Sequence, residues 1–231
     1  MILERDAFLK KLDETIAKHS MLDHPFYQMW NDGKLSKETL QEYVKQYYAH
    51  VRYFPRYVSA THAACDDIRA RQLLLENLVE EDEGENNHPE LWMRFADGME
   101  VKRDDVRDAK LLEKTRESVE TLVGLTRSED FRDGLAALYA YESQIPAVAQ
   151  TKREGLAKHF GLEDERAISF FTVHEEADII HSAVERDLIA KHCETAEDQQ
   201  RVLNAAETSS KALWHFLDGV YEAYVGEDCV H

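Results

Sequence analysis

The chain has 231 residues and little glycine or proline, with 9 and 4 residues respectively. Their combined share is about half of what globular proteins usually contain. All-β sandwiches, barrels and Rossmann sheets depend on many tight turns, so this scarcity argues against those folds. Apolar residues still make up 43% of the chain, and a chain of this length can bury roughly 70–75% of the surface it exposes when unfolded. The composition therefore predicts a folded protein with a substantial core.

Cysteines and long apolar runs are also scarce. The three cysteines, Cys65, Cys193 and Cys229, lie far apart and never at CxxC spacing, which argues against a disulfide framework or a thiolate zinc site. The N-terminal residues turn charged at once, and no window approaches about 18 uninterrupted apolar residues. We therefore expect no signal peptide, no membrane span and a location in the reducing cytoplasm.

Positive charge is in deficit. Lysine and arginine number 28 against 46 aspartates and glutamates, so the net charge is -18. An acidic surface of this size repels phosphate groups, and we expect neither nucleic acid nor an anionic membrane as a partner. The negative charge does not exclude cations as ligands. Because imidazoles and carboxylates together bind metal ions, the positions of the 11 histidines relative to the carboxylates are informative.

The hydrophobic pattern is helical along the whole sequence. Ser36, Ser128 and Thr195 have the residue types of helix N-caps, and Gly161 stands where a helix should end. No repeat, low-complexity tract or flexible linker interrupts the pattern. We predict one all-α domain over residues 1–231, a bundle of about seven to eight helices. The predicted helices are 4–19, 36–62, 66–87, 103–126, 129–159, 163–193 and 196–225, with a short turn near 24–32.

Polar residues occupy an unusual place on the helix predicted over 163–193. His174, Asp178 and His181 lie within about 60° of one another and spread over about 10 Å of helix axis. Composition alone predicts roughly 0.1 occurrences of such a triad. We expect the triad to project from the edge of a core-facing apolar row, although a solvated face with two incidental histidines would show the same spacing. That apolar row consists of Val173, Ala177, Ile180, Val184 and Leu188.

Two further helices carry carboxylates in apolar rows. Glu142 is the single charge in its row and requires a cation, which a metal or a salt bridge to lysine or arginine would provide. Glu81 and His88 are seven residues apart and about 20° from alignment on an ideal helix. Pro89 disfavours helical geometry at His88 and can re-aim the imidazole.

Together these interruptions provide three carboxylates and three imidazoles. Two first-row metal ions bridged by carboxylates in a helical bundle require a set of this kind. The paired ExxH motifs of ferritin-like proteins are absent, because Glu85 and His88 have no second copy on an apolar row. The sequence therefore predicts a dimetal site with different spacing, formed by Glu81, His88, Glu142, His174, Asp178 and His181.

The spacing of these six residues resembles that of the heme-oxygenase-like dimetal oxidases, relatives of the thiaminase and pyrroloquinoline-quinone-synthase folds. Within that superfamily the chain is most similar to the family of the Chlamydia protein associating with death domains. The narrower likeness is carried by Tyr27, Tyr43 and Lys152 and by the segments 24–27, 43–48 and 141–146. It extends over essentially the whole length.

The resemblance implies O2-dependent formation of 4-aminobenzoate, a folate precursor, from the protein's own side chains in a single turnover. Tyr27 would donate the ring, with Tyr43 as a required neighbour, and Lys152 would donate the amine; which tyrosine supplies the ring stays open. The implied cofactors are two metal ions, Fe/Fe or Mn/Fe, with O2 as co-substrate and an external reductant. The implied partners are a second copy in a homodimer and an unidentified electron donor.

Three alternatives stay open at this point. The same ligands could serve an oxidase that acts on an external fatty acid or amino acid. A metal-free, thiaminase-like enzyme would need an activated cysteine, and no base is evident beside Cys65. A non-enzymatic protein that binds death domains would not need the ligand set. The role of Lys152 also depends on a kink at Pro146, because on an ideal helix Lys152 is about 80° from the row of Glu142.

Overall fold

The computed structural model describes residues 2–225, and Cys229 lies outside them. These residues form helices and connecting turns without a β-strand, so the predicted all-α class is confirmed. The helix count exceeds the prediction because several predicted helices are interrupted. Eleven α-helices span the described residues: α1 (Arg5–Ala17), α2 (Pro25–Asp32), α3 (Lys37–Ala64), α4 (Ile68–Asp82), α5 (His88–Gly98), α6 (Arg103–Arg107), α7 (Glu113–Thr126), α8 (Phe131–Glu142), α9 (Ile145–Phe160), α10 (Glu165–His192) and α11 (Ala196–Tyr224).

The capping residues explain several helix ends. The Ser36 side chain accepts a hydrogen bond from the backbone N–H of Thr39 and starts α3. Thr195 and Asp198 form a reciprocal capping box at the start of α11. Gly161 ends α9 in the left-handed conformation, with φ of 63°. These three predicted signals are confirmed. The start signal predicted at Ser128 is wrong, because Asp130 caps α8 by accepting a hydrogen bond from the backbone N–H of Arg132.

The helix predicted over 66–87 is wrong beyond residue 82. Gly84 adopts a left-handed conformation with φ of 73°, and the Asn87 side chain accepts a hydrogen bond from the backbone N–H of Glu90 to cap a new helix, α5. Pro89 lies in the first turn of α5, where its missing N–H costs nothing. Glu81 and His88 therefore belong to two different helices.

The helix predicted over 129–159 is two helices, separated at Ser143 and Gln144. The Gln144 side chain holds this break, because its amide donates to the carbonyl of Ala140 and accepts from the backbone N–H of Met21. Pro146 lies in the first turn of α9. The break removes the 80° mismatch expected for one ideal helix, and Lys152 points into the core with 2% of its surface exposed.

The helix predicted over 103–126 is also two helices, α6 and α7. Gln46 on α3 explains the connection between them, because its buried amide donates to the carbonyl of Lys110 and accepts from the backbone N–H of Leu112 and the hydroxyl of Thr115. A tertiary contact thus replaces the helical hydrogen bonds that residues 108–112 would otherwise make.

The long helix α10 lies at the centre of the arrangement that positions the candidate site. It packs against α5, α8 and α9 and also contacts α4, while α3 packs against α4, α5, α7 and α8. Helices α2 and α9 approach closely because residue 155 is glycine; a Cβ there would lie 2.5 Å from the Trp30 indole. The same indole donates a hydrogen bond to the carbonyl of Lys152 at 3.3 Å, which anchors that turn of α9.

Candidate dimetal centre

The buried face of α10 is polar. His174, Asp178, His181 and Glu185 are all at most 8% exposed. The neighbouring apolar row is not the core-facing one, since Val173 is 39% and Ile180 is 65% exposed. The expectation that the triad projects from the edge of an apolar stripe is therefore wrong, because α10 turns its polar row toward the carboxylates and imidazole of α4, α5 and α8.

One group of three side chains joins α4, α5 and α10. Glu81, His88 and His174 each offer a ligand atom, and these atoms lie within 4.8 Å of one another. Glu81 Oε1 is 2.7 Å from His88 Nδ1. His174 Nδ1 lies 2.6 Å from the carbonyl of Phe170, and donation to that oxygen leaves Nε2 free to bind a cation.

A second group joins α8 and α10. Glu142, Asp178 and His181 offer ligand atoms within 4.8 Å of one another. His181 Nδ1 is 3.4 Å from Glu142 Oε1 and 3.6 Å from Asp178 Oδ1. His181 Nε2 faces Glu80 Oε2 at 3.0 Å, the outer carboxylate arrangement that orients metal-binding imidazoles. Asn77 donates to Glu142 Oε1 at 3.0 Å.

Unpartnered buried atoms show that these groups fit metal ions. Among residues 2–225, the partners of the Glu142 carboxylate are Asn77 and His181, and no lysine or arginine pairs with it. Glu142 Oε2, Asp178 Oδ2 and His181 Nδ1 are buried without a hydrogen bond within the same residues. Such atoms are costly to bury unless a cation satisfies them. Each group could hold one divalent first-row ion, for which carboxylate and imidazole are suitable ligands.

The protonation of the two groups reflects crowded carboxylates in a dry environment. Burial, with the added charge of Glu142, raises the pKa of Asp178 to about 7. Burial by itself would lower the pKa of His181, but the nearby carboxylates of Asp178 and Glu142 outweigh it and raise this pKa to about 10. Burial also raises the pKa of Glu81. Without a cation, these groups retain protons that a metal ion must displace.

We expect metal binding to tighten as the pH rises from about 6 to about 8. At the lower pH Asp178 and His181 both carry protons, since their pKa values are about 7 and about 10. Metal ligands must be deprotonated, so each displaced proton weakens binding by about tenfold per pH unit below its pKa. Calorimetric titration of the metal-free chain with Mn²⁺ at the two pH values measures this; equal affinities would contradict it.

Lys152 lies beside the two groups in an aromatic environment. Its Nζ is 4.2 Å from the ring centre of Tyr47, 5.3 Å from that of Tyr43 and 5.5 Å from that of Tyr27. Burial lowers the pKa of the Lys152 amine well below its ordinary value. Burial therefore favours the neutral amine, the form in which lysine is nucleophilic.

The tyrosines form two layers. Tyr27 and Tyr43 share a hydrogen bond of 2.9 Å between their hydroxyls, and burial raises both pKa values well above the ordinary one, so both phenols are neutral. The ring of Tyr43 stacks on that of Tyr47, with centres 5.3 Å apart. The Tyr141 hydroxyl donates to that of Tyr47 at 2.7 Å. The layer of Tyr47 and Tyr141 lies against the cavity, and Tyr27 and Tyr43 lie behind it.

A small cavity separates the candidate metal ligands from the lysine and the first tyrosine layer. Its volume is about 20 Å³, enough for one molecule of the size of water. A fatty acid or an aromatic substrate does not fit in this volume. The lining includes Tyr47, Tyr141 and Lys152 together with five candidate ligands, Glu81, His88, Glu142, His174 and Asp178.

The two described cysteines do not provide a nucleophile. Cys65 and Cys193 are buried and lie outside the cavity lining. Burial raises the pKa of Cys65, and it raises that of Cys193 to about 12. Both thiols are therefore protonated at neutral pH, which argues against thiaminase-like cysteine chemistry at these residues.

Sequence reasoning assigned no role to four residues that the structure brings to the site: Asn77, Tyr47, Tyr141 and Glu185. Glu185 extends the row of His181 by one turn, Tyr47 follows Tyr43 by one turn, and Tyr141 precedes Glu142. Helical spacing could have indicated these three. Asn77 had no such signal, because its role depends on how α4 packs beside Glu142.

An all-α bundle with two adjacent groups of carboxylate and imidazole ligands defines a protein of the heme-oxygenase-like class with a candidate dimetal centre. A solved domain with a heme oxygenase-like fold from Shewanella denitrificans OS217 is 18% identical, with a TM-score of 0.80 over 97% of this chain and 95% of that one. The chain belongs to the TENA/THI-4/PQQC family, whose sequence profile matches residues 9–223. The predicted fold and resemblance are thereby confirmed.

Two relatives share a higher sequence identity with this chain than that solved domain does. The chain is 41% identical over 215 residues to the 4-aminobenzoate synthase of Chlamydia muridarum, covering 93% of this chain and 90% of that protein. It is 40% identical over 228 residues to the 4-aminobenzoate synthase of Nitrosomonas europaea, covering 95% and 93%. Relatives of this similarity identify the chain as an enzyme, so the expectation of an enzyme is confirmed.

Within residues 2–225, no helix combines the length and the apolar character that crossing a membrane requires. The homodimer, the electron donor and the exclusion of nucleic acid stay predictions.

Proposed function

We propose that this enzyme is a dimetal, O2-dependent oxygenase that forms 4-aminobenzoate from its own side chains in a single turnover. The position of Lys152 is the observation that carries the proposal. Its amine lies within 5.5 Å of the ring centres of Tyr27 and Tyr43, and Lys152 lines the same cavity as five of the six candidate metal ligands. The two relatives described above are named for this product.

A tyrosine side chain can supply the carbon skeleton of the product. The ring and Cβ together contain all the carbon atoms of 4-aminobenzoate, once the Cα–Cβ bond is broken and Cβ is oxidised to the carboxylate. The para hydroxyl must be replaced by an amine. We assign the ring to Tyr27, with Tyr43 as the neighbour that fixes its hydroxyl by the hydrogen bond of 2.9 Å.

Lys152 supplies the nitrogen in this proposal. Burial lowers the pKa of its amine, which favours the neutral form whose lone pair can form the new C–N bond. The hydrogen bond from Trp30 to its carbonyl holds the turn of α9 that carries it. The bond between Cε and Nζ of Lys152 breaks during the transfer, with Cε oxidised to an aldehyde at the expense of O2 and the para oxygen of the ring leaving as water. Loss of this amine limits each chain to one product molecule.

The cofactors proposed for the site are two metal ions, Fe/Fe or Mn/Fe. Glu81, His88 and His174 would hold one ion, and Glu142, Asp178 and His181 the other. When bound, the ions would activate O2 with electrons from an external reductant, providing an oxidant strong enough for unreactive C–C and C–N bonds. The small cavity keeps bulk water from the reacting side chains.

The test uses purified chain loaded with Fe²⁺, or with Fe²⁺ and Mn²⁺, and supplied with reductant and O2 but no aromatic substrate. We expect release of 4-aminobenzoate in an amount that does not exceed the amount of protein. Chain produced with ring-deuterated tyrosine should yield deuterated product. Chain produced with lysine labelled by heavy nitrogen at Nζ should yield product that contains the heavy nitrogen.

The label distinguishes this proposal from oxidation of an external molecule. Unlabelled product from labelled chain would contradict the use of the protein's own side chains. Sustained turnover with an added fatty acid or amino acid would favour the alternative of an external substrate, and it would require the cavity to enlarge well beyond about 20 Å³.

A further inference from the structure

Glu185 is a buried carboxylate that the six-residue ligand set leaves without a role. Its exposed fraction is 1%, and neither Oε1 nor Oε2 has a hydrogen-bond partner among residues 2–225. A carboxylate in this situation is expensive to bury unless a cation satisfies it. No lysine or arginine of the described residues forms an ion pair with it, so either a proton or a cation from outside these residues has to neutralise it.

The helix geometry directs Glu185 toward the second group of ligands. Glu185 follows Asp178 by seven residues and is about 20° from alignment with it, and it lies about 6 Å along the axis beyond His181. Side chains on an α-helix lean toward its N-terminus. The Glu185 carboxylate therefore leans back toward Asp178 and His181, and the charges of Glu142 and Asp178 are near enough to act on it.

We propose that Glu185 is a further carboxylate ligand of the metal ion held by Glu142, Asp178 and His181. This inference rests on the proposed function, which requires an ion at that position. Three carboxylates and one imidazole would give this ion a harder and more negative ligand shell than Glu81, His88 and His174 give the other. Such asymmetry favours a hard first-row ion, and its higher oxidation state, at the second position.

A competing explanation is structural: Glu185 holds a proton and donates a hydrogen bond to Glu142. The variant Glu185→Gln separates the two explanations. Its amide can donate the same hydrogen bond, but it is a neutral and poor ligand for Fe²⁺ or Mn²⁺. Glu176→Gln is the matched control, because Glu176 is an exposed residue of the same helix.

The experiment titrates the metal-free full chain and both variants with Mn²⁺ alone under anaerobic conditions. We expect two ions per wild-type and Glu176→Gln chain, and about a tenfold or larger loss of affinity for one ion in Glu185→Gln. Metal-free Glu185→Gln should unfold at a temperature no lower than wild type, since a bare buried carboxylate has been removed. Its gain in unfolding temperature on adding Mn²⁺ should be smaller.

Two outcomes would overturn the inference. If wild type binds two ions and Glu185→Gln binds both within twofold of the wild-type affinities, Glu185 is not a ligand, and the proposed function is unaffected. If wild type binds fewer than two ions, the dimetal centre of the proposed function fails together with this inference. In the first case, an unchanged unfolding temperature of metal-free Glu185→Gln would favour the structural hydrogen bond, because the glutamine amide retains it.

Discussion

Tyr27→Phe and Lys152→Met chains loaded with metal are expected to release no detectable 4-aminobenzoate when given reductant and O2. Phenylalanine lacks the para hydroxyl that the amine replaces, and methionine removes the nitrogen while it keeps the volume that five aromatic rings surround. Tyr27→Phe loses one buried hydrogen bond, worth about 1 kcal/mol. Both variants should therefore fold and bind metal, and the product is measured by mass spectrometry.

The controls are Tyr53→Phe and Lys158→Ala. Tyr53 is a half-buried residue of α3 that does not line the cavity, and Lys158 is an exposed residue of α9. Both controls should yield wild-type amounts of product. Peptide masses after the wild-type reaction should show damage in the peptide of Tyr27 and loss of the Lys152 amine. Normal product from Tyr27→Phe and Lys152→Met would contradict the self-sacrificing reaction.

Damage at Tyr43 in place of Tyr27 would revise the ring donor without changing the reaction. The structure brings both rings to similar distances from the Lys152 amine, 5.3 Å for Tyr43 and 5.5 Å for Tyr27. They occupy different helices, α2 and α3. Proteolytic peptides therefore separate them, and the mass of each peptide reports which ring has been lost.

Glu142→Ala is expected to lower the metal content from two ions per chain to at most one and to abolish product formation. The substitution removes the one carboxylate that α8 contributes to the second group. The metal-free variant should stay folded, because the lost carboxylate has one oxygen without a hydrogen bond among the described residues. The stabilisation that metal confers on wild type should shrink with the lost site.

Elemental analysis after reconstitution and thermal unfolding with and without Mn²⁺ measure both effects. Glu129→Ala is the matched control, since Glu129 is an exposed glutamate just before α8. Two ions per Glu142→Ala chain, with the full metal-dependent rise in unfolding temperature, would show that Glu142 is not a ligand. In that case the dimetal centre proposed for this enzyme would need a different ligand set.

The composition of the candidate site could be predicted because charge is conspicuous in an apolar row. Glu142, Asp178 and His174 each interrupt a helical pattern, and burial of such groups without a cation is costly. The pairing of Glu81 with His88 was predicted from the wrong geometry. The two residues lie on different helices, because α4 ends at Asp82. The turn that follows brings His88 Nδ1 to 2.7 Å from Glu81 Oε1.

The inward face of α10 could not be predicted, because a helix with an apolar row and a polar row buries whichever one its neighbours complement. Ile180 is exposed and Glu185 is buried, the reverse of what hydropathy favours. Helices α4, α5 and α8 determine which row of α10 faces inward, because they present carboxylates and an imidazole to its polar row. This reversal is also why Glu185, the fourth polar residue of this row, was not recognised as a neighbour of the site.

The sequence by itself determined the helical class, most helix starts and the residue types of the candidate metal centre, since these depend on local spacing and on the high cost of burying charge. Only the tertiary structure decided where predicted helices break, which row of α10 faces inward and that Lys152 lies among the tyrosines. Each of these depends on contacts between residues distant in sequence, such as Gln46 with Lys110 and Gln144 with Met21. The helical period carries no information about such contacts.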